Sequence, residues 1–121
     1  MSKRHTRILA QLTALAAQSP RVGGARVAAA IVLNGMPIAV GINGRKTHPL
    51  QAKFNPNPRA TCIHAEIRAI SRSLNIIDSL DQCSIYIARA TGTSGSPAPI
   101  HPCIGCARAL TEFGIRKVFT T

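Results

Sequence analysis

Two short stretches of sequence decide how this chain folds: CIHAE at residues 62–66 and PCIGC at residues 102–106. Each stretch stands at the predicted start of a helix. Cys103 and Cys106 are three positions apart, so a helix places both sulfur atoms on the same face. The partial positive charge at the N-terminus of that helix helps to keep both as thiolates. The second stretch therefore indicates a pair of metal ligands.

The first stretch supplies the remaining groups of a metal site. His64 can provide a third ligand through a neutral imidazole nitrogen. One histidine and two cysteines leave the fourth tetrahedral position of a zinc ion open for water, as a catalytic zinc site requires. Glu66 follows two positions later, and its short reach to the metal suits a carrier of protons rather than a ligand.

Two other interpretations of these cysteines stay open at this point. Cys62 could join the other three side chains in a closed structural zinc site. Such a site has no use for Glu66, although the chain contains only four acidic residues. Alternatively, Cys103 and Cys106 could form a redox pair, but no thioredoxin-like pattern surrounds them. The catalytic zinc site explains both the spacing of the cysteines and the presence of Glu66, so it is favoured over either alternative.

The composition is that of a basic globular chain. Its 121 residues predict one domain over residues 1–121, and a hydrophobic content of 45 % allows a packed core. Fifteen Lys and Arg against four acids give a net charge of +11, which favours an anionic partner. Aromatic residues make up only 3 %, which argues against a broad base-stacking surface.

No apolar run is long enough to span a membrane. The metal-like arrangement of the four cysteines favours a reducing compartment, so we expect a cytoplasmic protein.

The rest of the pattern alternates helices and strands. Helices are predicted at residues 4–18, 62–75 and 102–113, and strands at residues 26–33, 36–43, 83–90 and 117–121. Asn34-Gly35 is typical of a two-residue hairpin turn, and Pro37 places the second strand at a sheet edge. Pro102 suits the first helical position, and Gly114 suits the end of that helix. The last strand-helix-strand unit predicts two parallel strands with a right-handed crossover.

The segment between the hairpin and the first motif is predicted to be a long polar loop over residues 44–61. A long loop inside a compact domain is usually functional. It leads directly into the His64 helix, so its charged side chains are expected at the rim of the site. Arg45 and Lys46 are the candidates for contact with substrate phosphate, and His48 could line the pocket.

The spacing H-x-E at residues 64–66 with P-C-x-x-C at residues 102–106 is a signature of zinc deaminases. On these motifs the chain resembles the cytidine and deoxycytidylate deaminase superfamily, and small phage and bacterial members look most similar. The resemblance implies an α/β, three-layer α-β-α fold with a mixed sheet of about four strands. The chain departs from the family pattern in one respect, because we expect it to lack the C-terminal helix and fifth strand that relatives usually have. One side of the sheet is then poorly covered, so a homo-oligomer is expected.

The resemblance also assigns roles to individual residues. It implies that His64, Cys103 and Cys106 bind Zn²⁺ and that Glu66 carries protons between water and the base. The backbone N–H of Ala65 would face the base carbonyl. The resemblance further matches Asn43 to a family asparagine that contacts the sugar.

The expected function is a zinc-dependent hydrolytic deaminase that converts cytosine to uracil and releases ammonia. A free (deoxy)cytidine nucleoside or nucleotide is the favoured substrate, although the motif also permits guanine or adenine. One alternative is a deaminase of single-stranded DNA or RNA, in which Arg21, Arg26 and Arg89 would also bind phosphates. Another is a zinc-stabilised basic nucleic-acid-binding module without turnover.

Overall fold

The computed structural model describes residues 2–20, 25–46, 48–54, 63–92 and 94–121. Four helices and five strands lie in these ranges. The helices are α1 (Lys3–Ala17), α2 (Pro49–Phe54), α3 (Ala65–Leu74) and α4 (Ile104–Glu112). The strands are β1 (Val27–Leu33), β2 (Met36–Ile42), β3 (Ser84–Ala90), β4 (Pro97–Ala98) and β5 (Lys117–Thr120).

The strands form one mixed sheet in the order β2-β1-β3, with β4 and β5 both pairing with β3. β1 runs antiparallel to β2 and β3, whereas β5 runs parallel to β3. The predicted hairpin, edge position of β2 and parallel pair are thus confirmed. Asn34 and Gly35 both have positive φ, at 51° and 78°, as a type I′ turn requires. The fifth strand is β4, which adds only two residues from the predicted loop over residues 91–101.

Helices cover both faces of the sheet, which confirms the three-layer α-β-α fold. On one face, α1 packs its buried stripe of Ile8, Leu9, Leu12 and Ala16 against the even-numbered residues of β1 and β3. On the other face, α3 and α4 pack against the odd-numbered residues. β1 reads VAAAIVL, and its first six residues are buried because both of its faces lie under helices. The alternation of side chains along the strands divides the core into these two clusters.

Two details differ from the sequence-based expectations. The segment predicted as a polar loop contains α2, which begins at Pro49, a residue whose fixed φ suits the first helical turn. The prediction that Pro102 opens its helix is wrong, because α4 begins at Ile104 with Cys103 as its N-cap. The Cys103 sulfur accepts a hydrogen bond from the Cys106 N–H and thereby fixes where the helix starts. Gly114 has a φ of 80° just beyond α4, as expected for a residue that ends a helix.

A close approach of α3 to β2 sets the position of the candidate site. A Cβ atom on Gly41 would lie 2.8 Å from the Ala65 carbonyl oxygen and 2.7 Å from the Ala69 nitrogen, so only glycine fits there. Gly44, just beyond β2, pairs with Ile63 immediately before α3. β2, β3 and β5 run in the same direction, so their carboxyl ends lie at the same end of the sheet. α3 begins at that end.

No helix in the described parts of the chain is both long and apolar enough to cross a membrane.

Candidate metal centre

The three predicted metal ligands meet where α3 and α4 begin. His64 is the N-cap of α3, Cys103 is the N-cap of α4, and Cys106 lies in the first turn of α4. The His64 Nδ1 atom is 3.2 Å from the Cys106 sulfur and 3.5 Å from the Cys103 sulfur. All three donor atoms lie within 4.8 Å of one another. The sequence separates the histidine from the cysteines by about forty residues, and the fold brings them together.

This donor set fits zinc. Zinc bonds of about 2.3 Å to sulfur and 2.1 Å to nitrogen in a tetrahedron put neighbouring donor atoms roughly 3.6–3.8 Å apart. The observed nitrogen–sulfur distances of 3.2 and 3.5 Å need only small adjustments to meet that geometry. Two sulfurs and one imidazole are also the donor types that zinc prefers. The residues present therefore fit a three-ligand zinc site.

The electrostatics of the pair favour a thiolate at Cys103. Hydrogen bonds from Cys106 and His64 lower the pKa of Cys103 to about 4. The same hydrogen bond, together with burial, raises the pKa of Cys106, which acts as the donor. The hydrogen bond to Cys103 also raises the pKa of His64. One sulfur of the pair is thus ready to bind a cation at neutral pH.

Glu66 lies beside the three ligands and is almost completely enclosed. Its side chain is only 4 % exposed, in the first turn of α3. Burial raises the pKa of this carboxyl above its ordinary value, and His64 opposes the shift only in part. A buried carboxyl that can hold or release a proton near a ligand cluster has the properties of a general acid–base group.

Gln51 is a supporting residue that the sequence did not reveal. It is 2 % exposed, and its Oε1 accepts a hydrogen bond of 2.9 Å from the His64 N–H. That N–H opens α3 and has no acceptor within the helix. Gln51 therefore fixes the backbone of His64, a predicted metal ligand. Its position in a segment predicted as loop hid this role, and no motif marks it.

His48 anchors α2 rather than standing free in a loop. Its Nδ1 accepts from the Leu50 N–H at 3.1 Å, so its Nε2 carries the proton and donates to the Ser71 hydroxyl at 3.2 Å. Ser71 belongs to α3, so His48 connects α2 to the helix that carries the metal ligand. The predicted contact between His48 and substrate stays a prediction.

The other residues predicted to contact substrate lie near the carboxyl end of β2 and the start of α3. Asn43 follows β2, and its side chain accepts from the Val27 N–H and donates to the Ala25 carbonyl, which joins the ends of two strands. Ala65 is the buried first residue of α3. Arg45 and Lys46 are exposed just beyond Asn43. These placements agree with a pocket rim, and the substrate contacts themselves stay predictions.

The three arginines predicted to bind the phosphates of a polynucleotide differ in their surroundings. The Arg26 guanidinium donates to the backbone carbonyls of Ala17, Thr91 and Gly92, so it joins α1 to the segment after β3. It holds the fold together and is not available for phosphates. Arg89 is exposed on β3. Arg21 lies outside the described residues, as does Cys62, the fourth ligand of the alternative structural site.

Several solved structures of other proteins share this fold. The dCMP deaminase of the cyanophage S-TIM5 has 21 % identity and a TM-score of 0.69, over 99 % of this chain and 84 % of that one. A second structure of the phage enzyme is a complex with dCMP and dUMP. Cytidine deaminase from Burkholderia pseudomallei has 21 % identity and a TM-score of 0.64, over 94 % and 78 % of the two chains. Guanine deaminase from Bacillus subtilis has 25 % identity and a TM-score of 0.63, over 100 % and 64 %.

The sequence matches no protein of curated function. The family model described as the cytidine and deoxycytidylate deaminase zinc-binding region matches residues 2–121. The match includes the cluster of His64, Cys103 and Cys106 and extends over almost the whole chain. This chain therefore belongs to the cytidine and deoxycytidylate deaminase zinc-binding family.

Proposed function

We propose that this protein is a zinc-dependent hydrolase that converts the cytosine of a free nucleoside or nucleotide to uracil and releases ammonia. One observation carries the proposal: His64, Cys103 and Cys106 place three zinc-ligand atoms within 4.8 Å of one another beside a buried carboxyl, Glu66. A closed structural site would not need that carboxyl, whereas hydrolysis of an amino group needs a proton carrier.

The residues of the site divide the reaction between them. His64, Cys103 and Cys106 would hold the zinc ion, which when bound supplies hydroxide at neutral pH by lowering the pKa of water. Glu66 accepts a proton from the attacking water and delivers it to the ring nitrogen beside the amino group. The water oxygen forms the new bond to the ring carbon, and the carbon–nitrogen bond to the amino group then breaks. Glu66 takes the second proton from the added hydroxyl and gives it to the amino group, so ammonia leaves while the carbonyl of uracil forms.

The free nucleotide is favoured because the chain offers little surface for stacked bases. Aromatic residues make up 3 % of the sequence, whereas polynucleotide grooves use several exposed rings. The phage relative is known in complex with dCMP and dUMP, which are both mononucleotides. Exposed Arg45 and Lys46 beside the start of α3 suit a single phosphate group.

The decisive experiment is a screen for ammonia release with the zinc-loaded protein. Cytidine, deoxycytidine, their monophosphates, guanine, adenosine and short single strands are offered in parallel. We expect about one zinc per chain and turnover of a free cytosine nucleoside or nucleotide. Cys103→Ala should lose zinc, and Cys62→Ala, the matched control, should keep it. Equal loss of zinc in both variants indicates the four-ligand structural site. Intact zinc without ammonia from any substrate indicates a non-catalytic binding module.

Net charge favours one competing function, deamination of single-stranded DNA or RNA. A charge of +11 on 121 residues suits a polyanion, and phosphate contacts make such binding steeply salt-dependent. A slope of log affinity against log salt with magnitude of about three or more, without free-nucleotide turnover, supports the polynucleotide. A slope magnitude below about one, together with turnover of a free nucleotide, excludes it.

A further inference from the structure

A cavity lies at the end of the strands opposite the metal centre. Its volume is about 500 Å³, and it opens between the start of α1, the hairpin turn and the first residues of β3 and β5. Ser84 and Lys117, which begin those two strands, both line it. β3 has seven residues, so about 20 Å of strand separates this cavity from the carboxyl ends of the strands, where the predicted metal ligands lie. A substrate base held at the metal centre does not fill it.

Cations from two distant parts of the sequence converge on this cavity. Arg4 comes from the first turn of α1, and Arg116 and Lys117 come from the start of β5. All three are exposed. Asp81 is the one acidic residue that lines the cavity among the described residues, and its carboxylate already accepts a hydrogen bond from Ser79. The lining is therefore positively charged.

The helix that contributes Arg4 adds to this positive charge. The N-terminus of a helix carries partial positive charge and is stabilised by acidic side chains. α1 has no acid in its first turn and instead begins with Lys3, Arg4 and His5. Lys3 and Arg4 repel the positive end of the helix dipole and each other. An anion in the cavity relieves that repulsion.

Three aromatic rings in contact form one wall of the cavity. The Phe119 ring stacks on Tyr86 at 4.8 Å with an angle of 27° between the planes, and the His5 ring lies tilted against Phe119 with its centroid at 3.9 Å. Tyr86 and Phe119 are paired in register on β3 and β5. Aromatic side chains next to several cations suit a ligand that combines a ring with negative charge.

The Tyr86 hydroxyl faces the cavity. The residue as a whole is 2 % exposed, and its hydroxyl makes no hydrogen bond with any described residue. The hydroxyl oxygen is not among the enclosed polar atoms that lack a partner, so water or a ligand in the cavity can reach it. Burial raises the pKa of the Tyr86 hydroxyl, and the nearby Arg4 guanidinium opposes that shift only in part, so the hydroxyl keeps its proton. A donor of this kind, beside cations, is suited to a phosphate oxygen.

We propose that this cavity, the Arg4–Tyr86–Arg116 cavity, is a second binding site for a phosphorylated ligand, in which Arg4, Arg116, Lys117 and the Tyr86 hydroxyl hold the phosphate. The ligand is a nucleotide phosphate, either of a free nucleotide or of a nucleic-acid strand. The site is separate from the metal centre and does not depend on the reaction carried out there.

The intrinsic fluorescence of the protein can be used to follow binding at this site. Tyr86 is the only tyrosine and there is no tryptophan, so tyrosine fluorescence reports on this cavity alone. Pyrophosphate, which has no ring and does not absorb, is titrated at low ionic strength while the fluorescence is followed. We expect a saturable change. Absence of binding at millimolar pyrophosphate, checked by calorimetry, overturns the proposal.

Charge-matched variants separate a site from a general attraction of anions. Arg116→Gln with Lys117→Gln should weaken pyrophosphate binding by about tenfold or more, because charge-assisted hydrogen bonds are lost. Arg72→Gln with Arg108→Gln removes the same charge from exposed positions outside the cavity and should change the affinity by less than about twofold. Equal weakening by both double variants overturns the proposal.

Removal of the Tyr86 hydroxyl tests ligand binding without destabilising the fold. Tyr86→Phe should leave the melting temperature unchanged, since the hydroxyl bonds to no described residue, and should weaken binding by about fivefold in calorimetry. Unchanged affinity in this variant contradicts the assigned role of Tyr86.

Competition with pyrophosphate then identifies the source of the phosphate. Displacement by uridine 5′-phosphate as strong as that by a ten-nucleotide thymidine strand supports a free nucleotide. Displacement by the strand alone, lost in the Arg116 and Lys117 variant, supports nucleic acid. Failure of both competitors overturns the ligand class.

Discussion

Glu66 is the residue on which turnover should depend most. Its carboxyl is 4 % exposed next to the three ligand atoms, so it can move protons without exchange with bulk water. Glu66→Gln keeps the size and hydrogen-bonding capacity of the side chain but cannot carry a proton. We expect ammonia release to fall by about 10²–10⁴-fold.

Zinc content and far-ultraviolet circular dichroism provide the controls for that variant. Both should match the wild type, because Glu66 is not among the three ligand side chains. Turnover at the wild-type rate in Glu66→Gln would exclude the proton-carrier role.

Gln51 should matter for the metal although it does not belong to the ligand cluster. Its Oε1 holds the His64 N–H at 2.9 Å and so fixes the residue that presents the imidazole. Groups that orient a ligand contribute about 10–100-fold to metal affinity. Gln51→Ala should therefore weaken zinc binding by about tenfold, measured by competition with a chelator. Gln11→Ala, an exposed glutamine on α1, is the matched control. Wild-type zinc affinity in Gln51→Ala would show that α3 places His64 without help.

Among the elements, the contact between β2 and α3 decides where the site is held. At Gly41 a Cβ would meet backbone atoms of α3, which cannot move independently. Gly41→Ala should lower the free energy of unfolding by about 1–3 kcal/mol and shift α3 together with His64 and Glu66. Urea denaturation measures the first effect, and ammonia release measures the second.

Gly44→Ala is the matched control for this contact. The atoms nearest to a Cβ at Gly44 belong to the Arg68 guanidinium, the end of a flexible side chain that can move aside. Its effect on stability should stay below about 1 kcal/mol. Equal destabilisation by the two variants would show that the contact between strand and helix is not the cause.

At the scale of the whole molecule, the sheet has an open edge. No described strand pairs with the outer edge of β5, where Val118 is 39 % exposed. Such an edge pairs readily with another chain. We expect a homodimer or larger oligomer at about tens of micromolar protein, measured by light scattering.

A charged edge should prevent this association. Val118→Lys should give the monomer mass, because a buried lysine in a strand pair is costly. Ile76→Lys, at another exposed hydrophobic residue, should not change the assembly. A wild-type monomer, or dissociation by both variants, would contradict association through β5.

The sequence alone determined the elements whose local signals are strong. Asn34-Gly35 predicted the hairpin because few residue pairs accept positive φ at both positions. The apolar stripes predicted α1 and α3, since the helical period leaves one face to be buried. The clustering of His64, Cys103 and Cys106 was predictable as well, because zinc chemistry restricts the residue types and their spacing.

Only the tertiary structure decided the features that depend on distant contacts. α2 was hidden in a polar segment, and the role of Gln51 became visible only when α2 packed beside the start of α3. Arg26 has the sequence character of a surface cation, yet three backbone carbonyls from distant segments enclose it. The cations of the Arg4–Tyr86–Arg116 cavity come from both ends of the chain. Periodicity and motif spacing are local properties, whereas burial, hydrogen-bond partners and converging charges arise only when separate segments pack together.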